Sequence, residues 1–264
     1  MPLDSPLQIS RLLLNALGTR MFLYHENRIP QEGPLLLVSN HRSFMDAPLL
    51  MAAINRPIRF ACHHYMGQVP ILRQIVTEQL GCFPLEVPEQ RQHSFFQQAT
   101  QLLQAQNVVG VFPEGGPPMV QTTSPNHIME FQRGFAHLAL RAPVRDLAVL
   151  PVAIASHQED NVNSLVPLKL LSFFDPSEPL FDQEGWHPMV VYRRVNVLIG
   201  RPIWITPTQR AHYQGKQART TVDQLSDHCR TEIATLLQGG YGSANRSQLN
   251  NSKNVPDELN LVRL

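Results

Sequence analysis

Residues 39–46 read Ser-Asn-His-Arg-Ser-Phe-Met-Asp, and later the chain reads Val111-Phe112-Pro113-Glu114-Gly115-Gly116. The first block follows the apolar run Leu35-Leu36-Leu37-Val38 and sets His41 and Asp46 on one short turn, with four residues between them. This suits a general base with its orienting acid. A histidine takes a proton from a hydroxyl only if its other ring nitrogen is held in the right tautomer, and a carboxylate does this while stabilising the imidazolium that forms. Asp46 also precedes Ala47-Pro48, so it fits the N-cap of a following helix, a role compatible with the first. Asn40 and Ser43 are short polar residues of the kind that hold turns through side-chain to backbone hydrogen bonds. The Asn40 to Ser43 turn is also a candidate source of donors to a substrate oxyanion. Ser43 as a nucleophile is disfavoured, because two-residue spacing from His41 makes in-line contact awkward. Glu114 stands just past a wholly apolar strand. A carboxylate there could bind an acceptor hydroxyl or position the loop, and we read it as an acceptor contact, with Gly115 and Gly116 letting backbone amides approach a ligand.

These residues need a scaffold, and the pattern around them supplies one. Apolar runs predict short buried strands at 35–39, 58–61, 108–112, 148–155 and 190–199, and helical stretches fall at 47–54, 71–79, 92–105, 128–141 and 221–237. Strands alternating with helices of this length predict an α/β layer structure, here one domain over 25–238 with a mixed, largely parallel sheet flanked by helices. Active sites in such sheets lie beyond strand ends, where His41 and Glu114 both fall. Residues 157–189 are the least regular and are expected to form a lip over the site. The tail, 239–264, is polar and small, with little to bury, and is expected to be mobile.

Residues 1–24 read as an amphipathic N-terminal helix, capped by Ser5-Pro6 and running to about Tyr24. Its leucines are interrupted by Gln8, Arg11, Asn15 and Arg20, so an apolar span of the ~20 residues a bilayer needs is absent. No signal-peptide pattern is expected either. Two readings remain open: an interfacial helix lying on a bilayer, or a helix packed on the domain's own core.

Taken in order, the Asn-His-x-x-x-x-Asp block, Phe-Pro-Glu-Gly, Tyr24 to Gly33, Phe131 to Leu140, Leu150-Pro151-Val152 and Ile199-Gly200-Arg201-Pro202-Ile203 resemble the glycerolipid acyltransferase superfamily typified by lysophosphatidic acid acyltransferases. The resemblance covers residues 20–207. It implies transfer of a fatty acyl group from a thioester to a hydroxyl of a lipid acceptor, with His41 as base and Asp46 as its partner. The donor would be acyl-CoA or acyl carrier protein, and no cofactor is implied. The leading acceptor is a lysophospholipid, 1-acylglycerol 3-phosphate, giving phosphatidic acid at the cytoplasmic face of a membrane, by a peripheral or monotopic protein.

Two departures bear on the acceptor. The family's second block has the form Gly-x-x-Phe-x-x-Arg, and another arginine usually follows Phe-Pro-Glu-Gly, whereas this chain has Gly81-Cys82-Phe83-Pro84-Leu85-Glu86-Val87 and Gly116-Pro117-Pro118. Neither valine nor proline replaces a guanidinium fork on a phosphate. Arg91, slightly later, is the candidate substitute, and His63 stands where many relatives have lysine. Arg133 with Gly134 fits either a contact to a phosphate or thioester carrier, or a solvated helix arginine. Three rivals follow: an acyltransferase for an uncharged acceptor such as a diglyceride, glycolipid or long-chain alcohol; a thioesterase using the same base on water; and a non-catalytic lipid-binding relative.

Composition narrows the classes further. The chain has 264 residues, a net charge of +1 and a charged fraction of 16% without a basic block, which argues against a nucleic-acid partner. Of the basic residues only Lys169, Lys216 and Lys253 are lysines, an arginine bias that fits headgroups and carboxylates. Cys62, Cys82 and Cys229 lack paired spacing, so a reducing compartment and no structural metal are expected. His63 and His64, neighbours on one strand, point to opposite faces and make a poor ligand pair.

Overall fold

Five consecutive buried residues in β2 (Leu35–Ser39) require cover on both faces, and the strand lies at the centre of the sheet. The computed structural model describes residues 5–70, 73–116, 123–125, 127–167, 169, 184, 186–239 and 260–261. Its elements run α1 (Pro6–Ala16), β1 (Arg20–Tyr24), β2, α2 (Asp46–Ile54), β3 (Ile58–Cys62), α3 (Tyr65–Gln68), a π-helical stretch (Arg73–Gln79), β4 (Phe83–Pro84), α4 (Pro88–Gln104) and β5 (Val108–Val111). They continue with α5 (Gly134–Arg141), β6 (Ala148–Pro167), β7 (Trp186–Ile199), β8 (Ile203–Trp204), α6 (Pro207–Gln214), α7 (Ala218–Gln238) and β9 (Asn260–Leu261).

The described strands form one mixed sheet in the order β4-β3-β5-β2-β6-β7-β1-β9, with β8 added beside the start of β6. β4, β3, β5, β2 and β6 run parallel, β7 returns antiparallel to β6, and β1 lies parallel to β7. The expected sheet, largely parallel and flanked by helices, is the observed one. One core layer, on the α1 and α2 side, holds Leu14, Leu37, Leu49 and Phe60; the other holds Leu36, Val38, Phe135 and Cys229 under α4, α5 and α7.

Four boundaries differ from the sequence reading. The N-terminal helix does not reach Tyr24: it stops at Ala16, Gly18 takes a left-handed φ of 68° with its N–H donated to Asn15, and the chain leaves as β1. The alternation of Met21 and Leu23, buried, with the less buried Phe22 has the period of a strand. Ser10 and Leu14 of α1 are buried, Ser10 against Met51 of α2, so this helix packs on the domain's own core, while Leu12 stays exposed.

Residues 157–189 do not begin as an irregular lip. β6 and β7 extend as an antiparallel hairpin to Pro167 and from Trp186, and most of the stretch between lies outside the described residues. The helix expected at 128–141 starts only at Gly134, because 129 and 132 are bonded to the loop after β5. In the tail, Asn260 and Leu261 pair with β1; the rest beyond Gly239 lies outside the described residues. No described helix is long and apolar enough to cross a membrane.

Candidate active site

The turn after β2 is held by side chains that act as backbone. The Asn40 amide accepts from Ile154 N at 2.8 Å and donates to Ile154 O at 3.0 Å, extending the β2–β6 pairing by one side chain. Ser43 Oγ donates to Val190 O at 2.6 Å and accepts from Met45 N at 3.0 Å. Both residues are buried. Their side chains hold the turn, Asn40 against β6 and Ser43 against β7.

Asp46 opens α2 fully buried, but its carboxylate faces back across the turn instead of capping the helix. Oδ2 accepts from the His41 imidazole Nδ1 at 2.8 Å, Arg42 N at 2.7 Å and Ser43 N at 2.9 Å; Oδ1 accepts from the Tyr192 hydroxyl at 2.8 Å. A carboxylate at Oδ2 dictates the Nδ1–H tautomer. Nε2 then carries the lone pair and has no hydrogen-bond partner among the described residues, on a side chain 17% exposed.

The imidazole plane is set by stacking. Its ring lies 4.0 Å from that of Phe112 at 10°, and Phe112 lies 4.9 Å from Phe60 at 5°. Gly110 makes room for this stack: a Cβ there would sit 2.2 Å from the Phe60 ring. An isolated glycine inside a strand was the available signal for such a close approach.

Glu114 is drawn inward. Oε1 accepts from His41 N at 2.9 Å and Oε2 from Met129 N at 2.7 Å, so each oxygen holds a backbone amide. Burial pushes the Glu114 carboxyl above its ordinary range, while the bonds from Met129 and His41 work the other way. Glu114 thus ties the loop after β5 to the backbone of His41. Gly115 makes the turn at a φ of 76° and donates to Phe112 O, and Gly116 beside it is half-buried.

Two contributors escaped the sequence reading. Arg42, buried inside the first block, pairs bidentately with Glu159 of β6 at 2.9 and 3.0 Å and donates to Thr123 O at 2.6 Å. Burial opposes both charges, yet each stabilises the other, so Glu159 stays below its ordinary range and Arg42 above its own. Position directly after His41 was the only hint of Arg42. Tyr192, on β7, had no local signal at all.

The distal arginines are elsewhere. Arg133 precedes α5 and pairs with Asp223 of α7 at 2.8 Å. Arg91 lies half-buried in the first turns of α4, its side chain without a hydrogen-bond or ion-pair partner among the described residues. His64 Nδ1 sits 3.2 Å from Leu85 O. No three His, Cys, Asp or Glu side chains converge in a metal-holding group among the described residues.

A family model described as Acyltransferase matches residues 20–155. Among solved structures, the crystal structure of the 1-acyl-sn-glycerophosphate (LPA) acyltransferase PlsC from Thermotoga maritima is similar, with a TM-score of 0.54 at 17% identity, covering 88% of this chain and 79% of that one. At that identity the likeness is one of fold. No curated protein sequence matches. The family match spans just over half of the chain, and the chain belongs to the acyltransferase family.

Proposed function

We propose that this acyltransferase moves a fatty acyl group from a thioester, acyl-CoA or acyl carrier protein, to a hydroxyl of a lysophospholipid at a membrane surface. The observation that carries the reading is the 2.8 Å His41–Asp46 contact with Nε2 left open at the strand end. In this mechanism Nε2 removes the acceptor's hydroxyl proton as that oxygen attacks the thioester carbonyl carbon. The resulting oxyanion collapses, the carbon–sulfur bond breaks, and the imidazolium returns its proton to the departing thiolate. No acyl-enzyme forms. Of the amides near the site, that of Gly116 is the candidate donor for the oxyanion, because those of Arg42 and Ser43 are given to Asp46 and that of Gly115 to Phe112 O.

Among lysophospholipids we favour 1-acylglycerol 3-phosphate, the substrate named for the Thermotoga maritima relative. Arg91 would then meet the phosphate, since Arg42 and Arg133 are each paired to a carboxylate. Those same two pairings favour the second reading, an uncharged acceptor. A peripheral or monotopic placement on the cytoplasmic face of a membrane is the arrangement proposed, and no described helix is long and apolar enough to cross one.

The test is acyl transfer from a labelled thioester to a panel of lysophosphatidic acid, diglyceride and fatty alcohol, for wild type and His41→Ala. Label in phosphatidic acid with wild type, reduced about 10²- to 10⁴-fold in His41→Ala, is the expected result. Label in a neutral ester selects the second reading, and a fully active His41→Ala protein overturns the mechanism.

A further inference from the structure

Asp46 faces more donors than a base's partner needs. Three converge on Oδ2, and a fourth, the Tyr192 hydroxyl, arrives at Oδ1 from a strand 146 residues away in sequence. Tyr192 is almost wholly buried and its backbone is fixed on both sides, with N donating to Met45 Sδ and O accepting from Thr19 Oγ1. A phenol in such a place is costly unless its hydroxyl is used, and among the described residues Asp46 is its partner.

We propose that Tyr192 is a positioning residue for the dyad, whose hydroxyl takes up part of the Asp46 charge and so keeps His41 in its neutral, proton-accepting form. The proposal rests on the reading of His41 as general base. A hydrogen bond to a carboxylate stabilises its charge, and the positive end of the O–H dipole adds positive potential at the neighbouring imidazole. Both effects weaken the hold of Asp46 on a proton at His41. Burial and the Asp46 charge push the Tyr192 hydroxyl well above its ordinary range, so it remains a donor throughout the working pH range. Among the described residues, the other charged groups facing the dyad are Arg42 on the same turn, Glu114 after β5 and Glu159 on β6. Glu159 is neutralised by Arg42, which leaves Tyr192 as the side-chain donor, beside the two backbone amides, that tunes Asp46.

The sign follows directly. Removing the hydroxyl makes the potential at His41 more negative, favours the imidazolium and costs the base at higher pH. Tyr192→Phe keeps the ring, so the fold is expected to hold. The acid limb of kcat/KM for acyl transfer should move to higher pH by about half a unit to one unit, equivalent to about three- to tenfold lower activity on that limb. KM at pH 8 should be unchanged. A second measurement needs no turnover: in proton NMR the downfield imidazole Nδ1–H resonance of His41, identified by its loss in His41→Ala, should shift in Tyr192→Phe. If Tyr192→Phe does not fold, uniform 3-fluorotyrosine, a stronger donor, should move the acid limb and the resonance in the opposite direction. An unmoved or lowered acid limb with an unmoved resonance overturns the proposal. Absent acyl transfer by wild type, with the resonance still responding to Tyr192, overturns the proposed function and leaves this inference standing.

Discussion

Replacing Asp46 by asparagine tests the geometry more sharply than deletion does. The amide has one acceptor and one donor for the two places filled by Oδ2 and Oδ1. Two backbone N–H groups, of Arg42 and Ser43, point at the Oδ2 place from 2.7 and 2.9 Å. An NH₂ group there would oppose both donors, each buried and each costing about 1–3 kcal/mol if left unpaired. The amide oxygen therefore takes the Oδ2 place, His41 still donates Nδ1–H to it, and the productive tautomer survives. The charge is lost, and at the Oδ1 place the amide NH₂ turns the Tyr192 hydroxyl from donor to acceptor. Charge-assisted hydrogen bonds are worth about 1.5–3 kcal/mol against about 0.5–1.5 for neutral ones. The difference, about 1–2 kcal/mol in the transition state, predicts a fall in kcat of about 5- to 30-fold in Asp46→Asn, by thioester turnover at saturating acceptor. Where an asparagine reverses the histidine tautomer the loss is nearer 10⁴. A loss of that size here, equal to that of His41→Ala, would mean that the amide had flipped and that the two backbone donors do not decide its orientation. Undiminished turnover would mean that the Asp46 charge plays no part.

Glu114→Ala frees the amides of His41 and Met129 and should lower kcat and the melting temperature while leaving the acceptor KM within about twofold, whereas an acceptor contact would raise KM. Glu159→Gln leaves Arg42 buried without its counter-charge and should destabilise the fold by about 3–5 kcal/mol at pH 7 in urea unfolding. Because Glu159 is held below its ordinary range, wild type loses this contribution as the pH falls below about 4, and the gap between the two proteins should close there. Gly110→Ala forces a methyl into the Phe60 ring and should cost about 1–3 kcal/mol along with part of the turnover, read by thermal melts and the transfer assay. Arg91→Ala should raise the KM for lysophosphatidic acid, while Arg133→Ala, which breaks a half-exposed pair, should change neither KM nor stability by more than about 1 kcal/mol.

Much of the scaffold was legible because its signals are local. The apolar runs at Leu35–Ser39 and Val108–Val111 could only be buried strands, and the helix at Asp46–Ile54 began where its proline implied. Boundaries failed where a distant partner overrode local pattern. The helix expected to reach Tyr24 ends at Ala16 because β7 offers β1 a parallel edge, and 129–132 stay unwound because Glu114 and Pro113 take the amides of Met129 and Gln132. The β6 arm just beyond Ala155, Ser-His-Gln-Glu-Asp-Asn, is polar, so its pairing with β7 left little hydrophobic period to read.

From the sequence alone came the composition of the chemistry: His41 and Asp46 within one turn, Glu114 at the end of a second strand, and the α/β alternation that puts both at strand ends. Short spacing constrains such groups whatever the rest of the chain does. The direction of each side chain was decided by tertiary structure. Glu114 turned inward to two backbone amides, Arg133 was drawn to Asp223, Arg42 was turned to Glu159 of β6, and Tyr192 was brought to the dyad by β7. The physical reason is that a buried polar group must be satisfied by whatever the fold places within about 3 Å, and that neighbour is set by strand order and register, not by separation along the chain.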